Sequence, residues 1–262
     1  MTRRIALISD IHANLVALEA VLADIAQANI DAIYCLGDLV GYGPQPIEVV
    51  DRVMQVAAPG KAIVGNHDYA IFEEPIGFNR SAREAVDWTR EVMQPRWYQW
   101  GTVKRRWHWL RQLPTVLEEE DVMFVHASPR QHLEEYILEE HTQGMSHSGE
   151  DPEVMLEENF QLVKHLCFIG HTHRPGVLTH DFQWIKPAEC DNHWTAPKEK
   201  AIINIGSVGQ PRDRDARGCY AIFDGSSVEW RRVAYDIDAV KALIEANPRL
   251  DNRLADRLYH GK

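Results

Sequence analysis

Polar residues with metal-binding or proton-transfer chemistry fall at the ends of short apolar runs in this sequence. Asp10 and His12 follow RIALIS (4–9), Asp38 follows DAIYCLG (31–37), and Asn66, His67 and Asp68 follow KAIVG (61–65). His126 closes VMFVH (122–126), and His171 and His173 follow LCFIG (166–170). Imidazole, carboxylate and amide suit divalent ions such as manganese, iron, zinc, cobalt or nickel, and no cysteine in the set favours softer ones. Two ions about 3.5–4 Å apart can clamp a phosphoryl group, polarise its oxygens and generate a hydroxide between them. A carboxylate such as Asp38 can bridge both ions, which a lone histidine cannot. The spacing of His171 and His173 puts two imidazoles on one face of an extended segment. Gly37, Gly65 and Gly170, each beside one of these residues, would permit tight turns at the strand ends.

Such a site needs elements that bring distant strand ends together. RIALIS reads as a buried strand, and residues 13–28 carry apolar side chains at helical spacing up to a stop at Asn29. A second strand over 31–36, a helix around 45–57 and a third strand over 61–65 complete the pattern of a parallel sheet with crossover helices. In open α/β sheets ligands bind at the carboxyl ends of strands, where these polar residues fall. Residues 72–117 read as a helical insertion containing Trp88, Trp97, Trp100, Trp107 and Trp109. Packing is the expectation for Trp97, Trp100, Trp107 and Trp109, with nucleobase stacking as the alternative. Strands return at 122–126 and 166–170, antiparallel pieces follow near 177–185, 201–205, 218–223 and 227–233, and a helix begins near 236. No repeat, low-complexity segment or linker interrupts the chain, so one domain over 1–262 is expected.

Length and charge narrow the function. A chain of 262 residues can bury a large core. Its formal charge of −11 argues against a nucleic-acid polymer as partner, yet leaves room for a small phosphorylated substrate, because bound metals would dominate the local field. Cys35, Cys167, Cys190 and Cys219 form no CxxC pair, so buried thiols in a reducing cytoplasm are expected rather than disulfides or a zinc knuckle. No apolar run reaches the ~18 residues of a membrane span, and the apolar start is broken at once by Ser9, Asp10 and His12. A cytoplasmic location without membrane attachment is the expectation.

SDIH (9–12), GDLVGYGP (37–44), GNHD (65–68), VHASP (125–129) and GHTHRP (170–175) together resemble the signature blocks of calcineurin-like metallophosphoesterases, in the family's order. NIGSVGQPRD (204–213) extends the resemblance to the bacterial branch described as diadenosine-tetraphosphatase-like or as phosphodiesterases. The resemblance implies a four-layer αββα sandwich, two mixed β-sheets back to back with helices outside. It implies that Asp10, His12 and His173 hold one divalent metal ion and Asn66, His126 and His171 the second, with Asp38 bridging. Manganese, iron, nickel and zinc are the candidate ions. His67 would act near the leaving-group oxygen while a metal-activated hydroxide attacks phosphorus, and Asp68 would orient His67 by accepting its other ring proton. The second and third blocks lack the GDxVDRG and GNHE forms of the protein phosphatases, which moves the expectation to small phosphodiesters, nucleotides or phosphomonoesters. Arg212 in the QPRD loop and Tyr42 in the GYGP turn are the candidate substrate-binding residues, ahead of Arg80, Arg83 and Arg174. His141, His147, His165 and His193 lie outside the motifs and read as structural or surface residues. A metal-dependent sensor or interaction scaffold with little or no turnover is the competing reading.

Overall fold

Alternation along the first strand decides the layering. In β1 (Ile5–Ile8), Ile5 and Leu7 enter one apolar core while Ala6 and Ile8 enter another. A strand apolar on both faces must be covered on both, here by a second sheet and by helices. The computed structural model describes residues 3–74, 77–146 and 149–262, so His147 lies outside the described residues.

The first half of the chain runs β1, α1 (Leu15–Ile25), β2 (Ala32–Cys35), α2 (Pro46–Val56), α3 (Asn66–Ala70), α4 (Arg80–Met93) and α5 (Thr102–Arg111). There follow β3 (Val116–Glu119), β4 (Val122–Val125), α6 (Pro152–Leu162), β5 (Leu166–Ile169), β6 (Gly176–Thr179) and β7 (Trp184–Ile185). The last part is β8 (His193–Thr195), β9 (Ala201–Asn204), β10 (Gly218–Phe223), β11 (Ser227–Val233), α7 (Ile237–Glu245) and α8 (Arg253–Asp256).

One sheet has the order β2-β1-β10-β11-β8 and the other β3-β4-β5-β9-β6-β7. Both are mixed: β1 pairs with β2 in parallel and with β10 antiparallel, while β5 pairs with β4 and β9 in parallel and β9 with β6 antiparallel. Leu7, Tyr34, Phe124, Phe168, Ala221 and Phe223 fill the space between the sheets. The Phe124 and Phe168 rings stack at 5.5 Å, and Phe168 meets Phe223 of the opposite sheet at 4.9 Å. Outside the first sheet, Leu18 and Val21 of α1 and Val49 and Val53 of α2 cover Ala6 and Ile8. Outside the second, Leu156 and Phe160 of α6 cover Cys167 and Ile169. The result is two mixed sheets flanked by helices, the expected αββα sandwich. All four cysteines are free thiols; Cys35 lies in the first outer core, Cys219 between the sheets and Cys167 in the second outer core.

Three details differ from expectation. KAIVG (61–65) makes only a single parallel bridge, Cys35 to Ala62, because the N–H of Val64 goes to the carbonyl of Pro114 and the chain turns directly into α3. The last residues of the expected insertion form β3, an edge strand whose Glu118 and Glu119 hide the signal within a charged run. Trp107 and Trp109 pack against the first outer core, but Trp97 and Trp100, between α4 and α5, are 87% and 75% exposed. Their exposure overturns the packing expectation for those two.

Candidate metal centre

The strand ends converge through backbone that most residues avoid. Asp10 (φ 52°), His12 (50°), Asp38 (52°), His171 (63°) and His173 (60°) are all left-handed. Such conformations cost roughly 1–3 kcal/mol each and persist where the surroundings over-determine them. Here the loops hydrogen-bond across one another: Asp10 N–H to Gly37 O at 3.0 Å, His12 N–H to Asp38 O at 2.9 Å, and Gly209 N–H to Asp10 O at 3.0 Å. Gly37 (φ 92°) is the tight turn expected of it, but Gly65 and Gly170 serve differently. A Cβ on Gly65 would lie 2.1 Å from Asp38 Oδ1, and one on Gly170 would lie 2.4 Å from Asp10 Oδ2. These two glycines let one ligand loop lie against the carboxylate of another.

All the expected ligand side chains meet in this place. Three groups of donors, Asp10 with His12 and His173, His12 with Asp38 and His67, and Asp38 with His126 and His171, each have ligand atoms within 4.8 Å of one another. The oxygen Oδ1 of Asn66 lies 3.0 Å from His126 Nε2. Asp38 Oδ2 stands between the outer groups, 3.6 Å from His12 Nε2 and 3.4 Å from His126 Nε2. His67 comes within the same reach although its expected role is not that of a ligand.

The outward ring nitrogens settle what the inward ones can be. His12 Nδ1 faces Val40 O at 3.1 Å, His126 Nδ1 faces Leu36 O at 2.9 Å, and His173 Nδ1 faces Gln210 O. A carbonyl only accepts, so each Nδ1 carries the proton, and in the rings of His12 and His173, which burial keeps neutral, the Nε2 lone pair turns inward. His12 Nε2 then faces His173 Nε2 at 3.0 Å, lone pair to lone pair, with His173 Nε2 also 3.2 Å from Asp10 Oδ1. His126 Nε2 faces two further acceptors, on Asn66 and Asp38. His171 is reversed: its Nε2 meets Glu134 O at 3.2 Å, which leaves Nδ1 for the site. Acceptors converging on acceptors repel unless cations lie among them, and a backbone carbonyl behind each imidazole is the usual outer support of a metal-bound histidine. The residues present fit divalent metal ions.

Electrostatics agree. Burial opposes the ionisation of Asp38, but His126 and His67 outweigh it and hold the carboxyl well below its usual range. Burial drives His12 well down, His67 to about 4 and His171 to about 3, so these rings are neutral. Burial would also lower His126, but Asp38 pulls it up to about 9, a charge balance that a cation would meet with the ring neutral.

His67 and Asp68 are buried together but do not bond as expected. Asp68 accepts the N–H of Val40 through Oδ1 and that of Gly65 through Oδ2, both at 3.1 Å, while His67 Nδ1 has no partner. Asp68 is thus occupied in tying the GDLV and GNHD segments together, and the His67 ring is placed by neighbours: Tyr42 and Phe78 at 4.5 Å and His12 at 4.9 Å. Tyr42 also meets His12 at 4.9 Å, and the Arg212 guanidinium lies 5.7 Å from the Tyr42 ring. Two of the other candidate arginines pair with carboxylates away from the site, Arg80 with Glu84 and Arg174 with Glu140. Sequence reasoning missed Tyr136, whose ring lies 4.1 Å from that of His171, together with Phe78 and Arg257. None of the three stands in a motif or at a strand end, so the pattern carried no signal for them.

A model of the calcineurin-like phosphoesterase superfamily domain matches residues 4–227. An uncharacterised protein of Methanocaldococcus jannaschii is 34% identical over 267 aligned positions, covering 98% of both chains. The crystal structure of a metallophosphoesterase from Sphaerobacter thermophilus shares 35% identity over the whole of both chains, with a TM-score of 0.78. A symmetrical bis(5′-nucleosyl)-tetraphosphatase of Pectobacterium atrosepticum is 27% identical over 122 residues; the match spans 46% of this chain and 41% of that one.

Proposed function

The chain belongs to the calcineurin-like phosphoesterase superfamily and is a phosphoester hydrolase, and from that premise we propose that it works through two divalent metal ions held by seven side chains. Asp10, His12 and His173 would hold one ion and Asn66, His126 and His171 the other, with Asp38 shared between them. The observation that carries this reading is the meeting of two acceptors, His12 Nε2 and His173 Nε2 at 3.0 Å, beside the carboxylates of Asp10 and Asp38. When bound, the ions polarise phosphoryl oxygens and make water acidic enough to attack at neutral pH.

The chain's own residues do the rest. The carbonyls of Val40, Leu36 and Gln210 fix three imidazole tautomers and keep the rings from turning. His67, neutral and without a partner at Nδ1, stands beside the site to donate a hydrogen bond to the departing oxygen. Asp68 keeps His67 in place through the backbone rather than the ring. Tyr42 and Arg212 border the substrate space. The substrate is a small phosphodiester, nucleotide or phosphomonoester, and manganese, iron, nickel or zinc serves as metal.

Turnover of bis-p-nitrophenyl phosphate and p-nitrophenyl phosphate by metal-stripped protein, with each ion restored in turn, tests the proposal. Hydrolysis should require added metal and vanish in Asp38→Ala, and the diester-to-monoester ratio should place the substrate class. Turnover that survives both chelation and Asp38→Ala would refute the two-metal assignment.

A further inference from the structure

A metal-binding histidine is only as well aimed as the group behind it, and the group behind His171 lies in a loop. His171 Nε2 meets the carbonyl of Glu134 at 3.2 Å, and the ring of Tyr136 lies 4.1 Å from that of His171. No strand or helix includes residues 126–138, so no ladder of backbone bonds holds Glu134 in place. The carboxylate of Glu135 does so instead. Its Oε1 accepts from Arg130 Nε at 2.8 Å and from Arg130 Nη2 at 2.5 Å. Its Oε2 accepts from Ser128 Oγ at 2.7 Å and from Asn159 Nδ2 at 2.8 Å. Asn159, fully buried on α6, also accepts the main-chain N–H of Arg130 at 3.1 Å. The loop is thereby closed on itself and tied to a helix. It begins at His126, two residues before Ser128, and its far end faces His171, so two histidines of the same proposed ion flank one carboxylate. Those of the other ion rest elsewhere, His12 on Val40 and His173 on Gln210.

Stability alone does not account for this network. The side chains of Glu135 and Arg130 are only 10% and 15% exposed, and the attraction of such a pair is largely offset by the water both give up. Asn is also a weak helix former, and Asn159 occupies a buried position on α6 beside Met155, Leu156 and Phe160 that an apolar residue would fill at less cost. What the bonds secure is geometry. Directed contacts on both oxygens leave the Glu135 carboxylate a single placement, and its chain neighbours Glu134 and Tyr136 are fixed with it. Both of those neighbours meet His171.

We propose that Glu135 is a positioning residue for the metal centre. It touches neither metal nor substrate; through Glu134 and Tyr136 it aims His171, and so sets the affinity of the ion that Asn66, His126 and His171 would hold. The proposal rests on the two-metal reading above and adds an inequality to it: one ion depends on the 126–138 loop and the other does not.

The test is a calorimetric titration of metal-stripped protein with manganese. Wild type should take up two ions. Glu135→Ala should weaken one of them about tenfold or more, the usual effect of removing outer support from a metal-bound histidine, and leave the other within about threefold. Glu135→Gln, which can still accept through one oxygen, should lie between Glu135→Ala and wild type. Glu158→Gln removes an exposed partner of the same Arg130 and should leave both ions as they are in wild type. The melting temperature of each metal-free variant shows that it is folded, and Glu135→Gln carries the test if Glu135→Ala is not. Two ions weakened alike, neither weakened, or the same loss in Glu158→Gln overturns the proposal and leaves the two-metal reading standing. A wild type that takes up a single ion removes the two-metal reading and this proposal with it.

Discussion

His67 is the residue whose role the geometry leaves most distinctive. It lies in reach of His12 and Asp38 as a donor, yet its Nδ1 is buried without a partner and its ring is held by contact with Tyr42 and Phe78. A ligand and a hydrogen-bond donor to substrate respond differently to deletion. His67→Ala should retain the bound metal of the wild type, measured by elemental analysis, and lose about 10²–10³-fold in kcat, the usual worth of a hydrogen bond to developing charge. Loss of metal in step with activity would make His67 a ligand instead. Its close neighbour in the chain has a different task, since Asp68 spends both oxygens on backbone N–H groups. The family resemblance implied a hydrogen-bonded pair of His67 and Asp68, and only the fold could reveal that Val40 claims one of those oxygens.

At the scale of elements, the site exists because loops from different strands pack within contact distance. Gly170 shows how tight this is: an added Cβ would sit 2.3 Å from Ser9 Oγ and 2.4 Å from Asp10 Oδ2. Gly170→Ala should therefore push β5 away from the loop after β1. It should lower stability by about 1–3 kcal/mol, typical of overpacking, and lower metal content with it. Unchanged metal content in the variant would mean that the loops have slack. That these candidate ligands would meet was legible in the sequence, because each follows an apolar run and strand ends in α/β folds share one edge. The reason for Gly65 and Gly170 was not, since it depends on Asp38 and Asp10, which lie far away along the chain. Arg257 was invisible for a similar reason, standing in a polar tail whose helices give no hint that they return to Tyr42. The exposed Trp97 and Trp100 looked like core residues only because indole usually is.

For the whole molecule, the proposed metals would tie the sandwich together. The candidate ligands come from both halves of the fold, Asp10, His12 and Asp38 from loops of the first sheet and His126, His171 and His173 from those of the second. Ions that bind only the folded arrangement stabilise it by mass action, about 2.7 kcal/mol at a hundredfold excess over Kd. Chelation should lower the melting temperature by roughly 5–10 °C for a chain of this size, and added manganese should recover it. An unchanged melting curve would show that the two sheets hold together without the ions. The thiols add a consequence of their own. The two outer cores and the space between the sheets each hold one buried cysteine, Cys35, Cys167 and Cys219 respectively, and burial raises every one of these thiols, Cys219 to about 11. None of them reacts while its layer is shut, so a thiol reagent becomes a clock that stamps the first outer core, the space between the sheets and the second outer core separately. The half-exposed Cys190 supplies the zero of that clock, and the order in which the other three report is the order in which the sandwich breathes.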